Sequence, residues 1–468
     1  MQINNVILPC QSSATDMDIW DIDVEDGKVS QIRPSNGVVG KPPKLLLPAL
    51  CHPHIHLDKP FILTCGHPSS KTRPDYSDLV PRTGSFDEAL SNTSKAKERY
   101  TEEDLYLRGS QLLATSYEQG VTSLRAFVEV DHVTGALPLM IAIRLKSDFS
   151  HLLDMQICAF AQDPIFSTIH GESNRSIITS LLGEYAPYVE VLGTTPYVEE
   201  SREASLQNIE WAIATALRHD LHLDFHLDYN LALPSPSNAP LTFSVLELLK
   251  KHRWLEIAKG SKTIVLGHCT QLTVLCNSDL QHLAELVIQS GLPIHFVGLP
   301  NSDMFMMGRP SSAADTMQAR PRGTLHVLSM IKDLGLSACI GVNNVGNAFT
   351  PFGSGDPLQA ASWGVGIYQA GTVADALILY GCVSWLARRA IGLEGSTEDN
   401  DVIESRSLQG MLLIRNKEHI TLPSATHGPE LKIPARKRMN IRDIIWDPPE
   451  IMMRSIIGRR KLELDSDA

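Results

Sequence analysis

The sequence lacks three features that would indicate a class of protein directly: closely paired cysteines, long apolar runs and an excess of positive charge. Its eight cysteines include no C-x-x-C pair, which favours reduced thiols in a cytosolic protein over a disulfide framework. No run approaches the roughly 20 apolar residues that span a bilayer, so we expect no membrane partner. The net charge of −12 argues against a nucleic-acid partner. The N-terminus has neither the basic nor the apolar segment of a signal peptide, and we expect a cytoplasmic protein.

Short β-rich runs alternate with helical stretches through the middle of the chain. The first run is "KLLLPALCHPHIH", the eighth is "LSACIGVNN", and a helical pattern follows each run. Eight such units predict an α/β fold, a closed parallel (β/α)8 TIM barrel. The strands are nearly continuous apolar runs, as expected for strands buried on both faces. An open doubly wound sheet is the alternative, but no G-x-G-x-x-G follows the first strand.

The two ends of the chain have a different pattern from the middle. Short β-like runs, such as "INNVILPCQ" near the start and "MLLIRNKEHITLPS" near the end, are separated by turn signals. We therefore predict a small composite β-sandwich domain formed by residues 1–47 and 396–468. The barrel would occupy residues 48–395 and interrupt this domain.

Polar residues gather where several predicted barrel strands end, which is where TIM barrels form their active sites. Residues two apart on a strand share a side, so the two members of each strand-end pair would point the same way. The candidates from strands 1, 5, 6 and 8 are His54 and His56, His226 and Asp228, His268, and Asn343.

Four histidines at one barrel mouth indicate a metal site. A single histidine at a strand end is usually a hydrogen-bonded structural residue, but a buried cluster is costly unless it is paired or binds a metal. Imidazole suits zinc, with iron as the alternative, and three nitrogen ligands with an open position describe a catalytic site. The fourth strand, "YVEVLGTT", offers no lysine that could bridge two ions, so one divalent ion is predicted.

These residues, in this order, resemble the amidohydrolase superfamily, in particular its cytosine deaminase-like branch of metal-dependent hydrolases. The resemblance covers most of the chain and is most specific in "PALCHPHIHLDKP", "DFHLDYN", "LGHCTQL" and "GVNNVGNAFTPFGSGDPL". It implies metal ligation by His54, His56 and His226, and a hydrogen bond from His268 to the reacting groups. It also implies a substrate-binding set composed of Gln162, Tyr229, Asp303, Met304 and Phe305.

Two positions depart from the family pattern. Asn343 stands where the family has an aspartate that takes a proton, and an amide cannot do this. Losing a general base typically costs about 10²- to 10⁴-fold in rate. Tyr229 stands where cytosine deaminases carry a proton-shuttling glutamate, so deamination of cytosine itself is disfavoured. Asp228 is the nearest candidate for moving the proton instead, with His268 second.

Three functions remain open on this evidence. The leading hypothesis is a mononuclear hydrolase that cleaves a C–N bond in a cyclic amide, amidine or amino-heterocycle, with Asn343 either an inactivating substitution that traps a complex or functionally replaced. The first alternative is a non-hydrolytic metalloenzyme, such as a decarboxylase, cyclase or isomerase, which would incorporate no solvent oxygen. The second is a catalytically degenerate binding relative. The expected partner is a small molecule, and a homo-oligomer is compatible with the sequence.

Overall fold

A computed structural model of the chain describes residues 1–9, 18–37, 41–236, 238–307, 322–393, 410–424 and 430–457. Its strands are β1 (Gln2–Ile7), β2 (Ile19–Glu25), β3 (Lys28–Pro34), β4 (Lys44–Pro48), β5 (Leu50–His56), β6 (Val121–Glu129), β7 (Asp154–Ala161), β8 (Val191–Thr194), β9 (His222–Leu227), β10 (Ile264–His268), β11 (Ile294–Gly298), β12 (Ala338–Ile340), β13 (Met411–Ile414), β14 (His419–Leu422), β15 (Leu431–Pro434) and β16 (Arg454–Ile457).

Most α-helices of these described ranges lie in the connections that follow the barrel strands, and the last one lies between β15 and β16. They are α1 (Phe86–Lys97), α2 (Glu102–Gln119), α3 (Leu137–Asp148), α4 (Gly171–Glu184), α5 (Arg202–His219), α6 (Leu241–Lys251), α7 (Trp254–Ile257), α8 (Asn277–Ser290), α9 (Pro300–Met306), α10 (Val327–Lys332), α11 (Pro357–Ile367), α12 (Val373–Cys382), α13 (Trp385–Ala390) and α14 (Ile441–Trp446). None of those described is long and apolar enough to cross a membrane.

The eight strands β5 to β12 form one parallel sheet in which each strand pairs with the next in the chain. Most are buried along their whole length, β6 at all nine positions, because helices cover the outside and side chains fill the inside. The sheet closes where the segment after β12 meets β5. The amide N–H of Asn343 donates to His54 O at 3.0 Å, and that of His56 donates to Asn343 O at 2.9 Å. The predicted TIM barrel is confirmed.

Helix α2 shows how the local sequence sets the elements around the barrel. It begins after Thr101, whose side chain accepts a hydrogen bond from the N–H of Asp104, and it ends at Gly120 in the left-handed conformation (φ 104°). A side chain at Gly120 would also meet Leu412 of β13, because the Cβ position lies 2.8 Å from Leu412 Cδ1. The glycine predicted to stop this helix therefore also lets the terminal sheet approach the barrel.

Strands from both ends of the chain combine in a six-stranded sheet with the order β16-β13-β4-β1-β2-β3. The predicted association of the two termini is confirmed by the antiparallel pairing of β4 with β13. Strands β14 and β15 form a separate two-stranded sheet. The proposed boundary near residue 396 lies outside the described residues, and β4 runs to Pro48 before the first barrel strand begins at Leu50. The domain limits remain a prediction.

A buried arginine on the last described strand joins the terminal sheet to the barrel. The Arg454 guanidinium donates to both carboxylate oxygens of Asp356, at 2.9 and 2.8 Å. It also donates to the carbonyl oxygens of Gln119 and Pro449, at 3.0 and 2.9 Å. Asp356 in turn caps α11 by accepting from the N–H of Leu358. One guanidinium thus connects β16, the end of α2 and the start of α11.

We expect Arg454→Ala to lower the free energy of unfolding by about 3–5 kcal/mol, because it leaves the buried Asp356 carboxylate without its partner. Urea denaturation followed by circular dichroism measures this loss. The control is Arg436→Ala, since the Arg436 side chain is 81% exposed in its ion pair with Asp447. That change is expected to cost less than about 1 kcal/mol. Equal effects of the two substitutions would contradict the proposed connecting role.

Candidate active site

Three histidines meet at the carboxyl end of the barrel. His54 and His56 come from β5 and His226 from β9, and one potential ligand atom of each lies within 4.8 Å of the other two. The closest approach is 3.0 Å, between Nε2 of His54 and Nε2 of His226. All three rings are buried, at 0%, 2% and 2% exposure. The strand positions predicted from the sequence therefore bring these three side chains together.

This donor set fits a transition-metal ion. Burial lowers the pKa of all three histidines well below the ordinary value, so the rings are neutral and have lone pairs to offer. Each also has a buried Nδ1 atom with no hydrogen-bond partner among the described residues, which is rare for protein polar atoms. Neutral imidazoles in threes are characteristic ligands of zinc and its neighbours.

His268 lies beside the three histidines, and a hydrogen bond on the side away from the cavity fixes the orientation of its ring. Its Nδ1 atom lies 2.8 Å from Oδ1 of Asp303, and Thr324 donates to Oδ2 of the same carboxylate at 2.7 Å. The carboxylate can only accept, so Nδ1 of His268 carries the proton and Nε2 is left for the cavity. Asp303 was predicted to contact substrate, but it is fully buried behind His268 and supports that ring instead.

Asn343 contributes its side chain to the same cavity as His56 and His226. It is 3% exposed, and its Oδ1 atom has no hydrogen-bond partner in the described part of the chain. An amide oxygen can coordinate a metal weakly or accept a hydrogen bond, but it cannot take up a proton. The position therefore offers a neutral oxygen where the family pattern has a carboxylate.

Three residues at the carboxyl ends of the barrel strands have left-handed backbone conformations, which residues other than glycine seldom adopt. They are Asp228 (φ 49°), His268 (φ 65°) and Asn343 (φ 69°). Each such residue costs of order 1–3 kcal/mol and persists only where its surroundings enforce it, most often at functional sites. All three were singled out by the sequence as strand-end candidates.

The position of Asp228 does not favour its predicted role as a proton carrier. Its carboxylate accepts hydrogen bonds from the N–H of Leu241 at 2.7 Å and from the N–H and hydroxyl of Thr242 at 3.1 and 2.6 Å. It thereby caps the start of α6, and it is not among the residues that line the cavity. Asp228 therefore has a structural position at the start of α6, because both of its carboxylate oxygens already accept hydrogen bonds.

A small cavity lies above the histidines and is open to solvent on one side. Its aromatic walls are Phe86, Tyr197, Tyr229 and Phe349. The Tyr229 ring lies 4.1 Å from the His268 ring, measured between centroids, so the predicted contact of Tyr229 with the site is geometrically available. Aromatic walls of this kind favour a flat ligand.

Polar side chains complete the cavity: Gln162, Ser302, Asn343 and Asn344 join His56, His226 and His268. Among the described residues that line it, none is an aspartate or a glutamate. Gln162 was predicted from the sequence and does face the cavity. Met304 is half-buried outside this lining set. Phe305 is also outside it, but it packs against the apolar cluster that contains the cavity-wall rings Tyr229 and Phe349. The rest of that loop, 308–321, lies outside the described residues.

A buried charge network adjoins the cavity at the ends of β5, β6 and β7. The Lys59 ammonium pairs with Glu129 and lies 3.4 Å from Oε1 of Gln162. Lys97 pairs with Glu129 and Asp163, each at 3.0 Å, and also with Asp131. Lys59 is only 1% exposed. Sequence reasoning missed this network, although the lysine stands in the quoted "HIHLDKP" motif.

Comparison with known proteins places the chain within a group of similar folds. The structure matches 5-methylcytosine deaminase from Klebsiella pneumoniae liganded with 5-fluorocytosine, with a TM-score of 0.74, 19% identity, and coverage of 99% of this chain and 98% of that one. It also matches N-isopropylammelide isopropylaminohydrolase from Burkholderia multivorans, with a TM-score of 0.66, 18% identity, and coverage of 98% and 96%. A scan of protein-family models and a search of curated proteins found no match.

A more distant similarity is to an adenosine deaminase from Xanthomonas campestris with bound zinc, at a TM-score of 0.51, 14% identity, and coverage of 88% and 85%. At these identities the comparisons establish a shared fold. The shared fold covers 98–99% of this chain and so includes both the barrel and the terminal strands.

We expect His226→Ala to weaken zinc binding by more than about 100-fold, because even the loss of an outer-shell partner commonly costs 10- to 100-fold. Metal content after dialysis, measured by plasma mass spectrometry, provides the test. The control is His222→Gln on the same strand, since His222 bonds Thr263 at 3.0 Å away from the three histidines. Metal retention by the His226 variant, or equal loss in both, would contradict the assigned ligand set.

Proposed function

We propose that this protein is a metal-dependent hydrolase that cleaves a C–N bond in a small ring compound. The observation that carries the proposal is the convergence of His54, His56 and His226 beside an oriented His268. The shared fold with deaminases and an aminohydrolase supports it. The superfamily assignment and the role of each site residue are parts of this proposal.

The three histidines would hold one divalent ion, zinc in the first instance. Such an ion supplies Lewis acidity and acidifies water when it is bound. The protein's own contribution is to keep the ligands neutral and to exclude bulk water by burying them. The same burial strengthens every electrostatic interaction in the cavity.

His268 is the group best placed to move the proton. Because Asp303 accepts from Nδ1, the free Nε2 atom can take a proton from water and later give it to the leaving nitrogen. The Asp303 carboxylate stabilises the positive ring that forms in between. This assignment makes His268 the proton carrier in preference to Asp228, and it supplies a base at a site where Asn343 supplies none.

The remaining cavity residues would position the substrate. The Tyr197 and Tyr229 rings pack edge to face with their centroids 5.5 Å apart, and both line the cavity, where a flat ring can lie against them. Gln162 and Ser302 offer hydrogen bonds at the cavity wall. Holding the reacting carbon close to the histidines removes part of the entropic barrier.

One observation favours a second candidate, a non-hydrolytic metalloenzyme such as a decarboxylase. Neither Asn343 nor any described lining residue is a carboxylate that could take a proton from water. Chemistry in which the ion acts only as a Lewis acid would tolerate this composition. Solvent oxygen distinguishes the two candidates, because only hydrolysis incorporates it into the product.

The direct test is to assay zinc-loaded wild type and Asn343→Asp on a panel of lactams, amidines and amino-heterocycles in ¹⁸O-labelled water. We expect labelled product from the wild type, and up to about 10²-fold higher kcat in the variant, since it regains a general base. Asn343→Ala controls for the loss of the amide. Zinc-loaded forms that are all inactive, or a product without label, would overturn the hydrolase assignment.

The Asp303 support of His268 gives a separate prediction. Asp303→Asn should lower kcat by about 100-fold or more, because an amide can donate to Nδ1 and so favour the wrong tautomer of the ring. KM and zinc content should change little, since Asp303 reaches neither the cavity nor the three ligands. Thr324→Val, which removes only the second hydrogen bond to this carboxylate, should have a smaller effect. A change in KM alone would contradict the positioning role.

A further inference from the structure

Four described acidic side chains near the barrel mouth do not line the cavity, although Oδ1 of Asp224 lies 3.7 Å from Nδ1 of His54 behind it. Asp228 caps α6, and Asp303 accepts from His268 and Thr324. Glu129 pairs with two buried lysines. Asp224, lower in the barrel, pairs with Arg125 at 2.8 Å. Negative charge is therefore plentiful behind the cavity wall, and each carboxylate already has a cationic or hydrogen-bonding partner.

The described cavity wall also contains hydrogen-bond donors beside the acceptor Nε2 of His268. Oδ1 of Asn344 accepts from Nδ2 of Asn347 at 2.8 Å, which leaves the Asn344 NH₂ group to donate. Lys59 can only donate, so its contact with Gln162 at 3.4 Å identifies the amide oxygen as the atom held by the ammonium. The NH₂ group of Gln162 is thereby turned away from Lys59, and the amide also hydrogen-bonds Tyr197. The Ser302 hydroxyl adds another polar group to the lining. A ligand that accepts hydrogen bonds is matched by this wall.

The predicted metal ligands also carry no negative charge. His54, His56 and His226 are neutral imidazoles, and Asn343 brings an amide in place of a carboxylate. A divalent ion held by such a set keeps its full double charge, because no ligand is an anion.

We propose that the substrate of this site is a small organic anion, a single flat ring that bears a carboxylate. The carboxylate would lie at the histidine end of the cavity and the ring between the aromatic walls. This inference rests on the proposed metal-binding function, and it narrows the substrate class from ring compounds in general to their anionic members. Position 343 becomes the residue that determines charge preference.

Two matched ligand pairs test the inference with zinc-loaded protein: benzoate with benzamide, and uracil-5-carboxylate with uracil-5-carboxamide. Isothermal titration calorimetry at constant ionic strength compares each acid with its amide. We expect each carboxylate to bind at least about tenfold tighter than its carboxamide to the wild type. Asn343→Asp should remove most of this preference, since it places a negative charge in the cavity. Asn343→Ala, which removes the amide without adding charge, should keep the preference.

Three results would overturn the inference: no binding of either carboxylate, equal binding of acid and amide, or an unchanged preference in Asn343→Asp. The outcome is separable from that of the proposed function because calorimetry needs no turnover. Hydrolysis of neutral ring compounds without an anion preference would defeat this inference alone. An anion preference together with a product that lacks solvent oxygen would defeat the hydrolase assignment alone.

Discussion

The barrel depends on one short stretch of backbone pairing, in which Asn343 bridges to the first barrel strand. Its N–H and C=O groups bond the backbone of His54 and His56, so closing the sheet sets these two histidines beside the amide side chain. The left-handed conformation of Asn343 lets this one residue form both backbone hydrogen bonds and place its side chain beside the histidines. Since the closure uses only main-chain atoms, a side chain that tolerates the left-handed backbone can replace Asn343 without removing these hydrogen bonds. Fold and chemistry are thus separable at this position.

Behind the cavity, the same rim carries a dense arrangement of paired charges. Burying a charge is costly unless it is paired, and here Glu129, Lys59 and Lys97 compensate one another at less than 5% exposure. Asp303 accepts a hydrogen bond from His268, and Thr324 donates a hydrogen bond to the same carboxylate. The result is a cavity whose walls are positioned by groups that the ligand never touches.

The sequence predicts the barrel and its histidines well because both follow from short periods. Alternation on a strand puts His54 and His56 on one side, and the order of eight units fixes which strand ends meet. The sequence predicts less well the direction in which an individual side chain points. Asp228 shares a strand side with His226, yet its left-handed backbone directs the carboxylate to the start of α6. Phe86 begins α1 in the long connection between β5 and β6, and Tyr197 lies in the short turn after β8. Neither position belongs to the strand alternation, so their place in the cavity could not be read from it.

The composite terminal sheet has a consequence for how the chain is made. Strand β4 pairs with β1 on one side and with β13 on the other, so one of its edges has no partner until nearly the whole barrel has been synthesised. An unpaired apolar edge is a template for wrong pairing, and contacts so distant in sequence form slowly. Newly made chains would therefore spend their most aggregation-prone interval with the first strands exposed and the barrel still incomplete. Arg454, which is synthesised after all the barrel strands, then connects the terminal sheet to the barrel through Asp356.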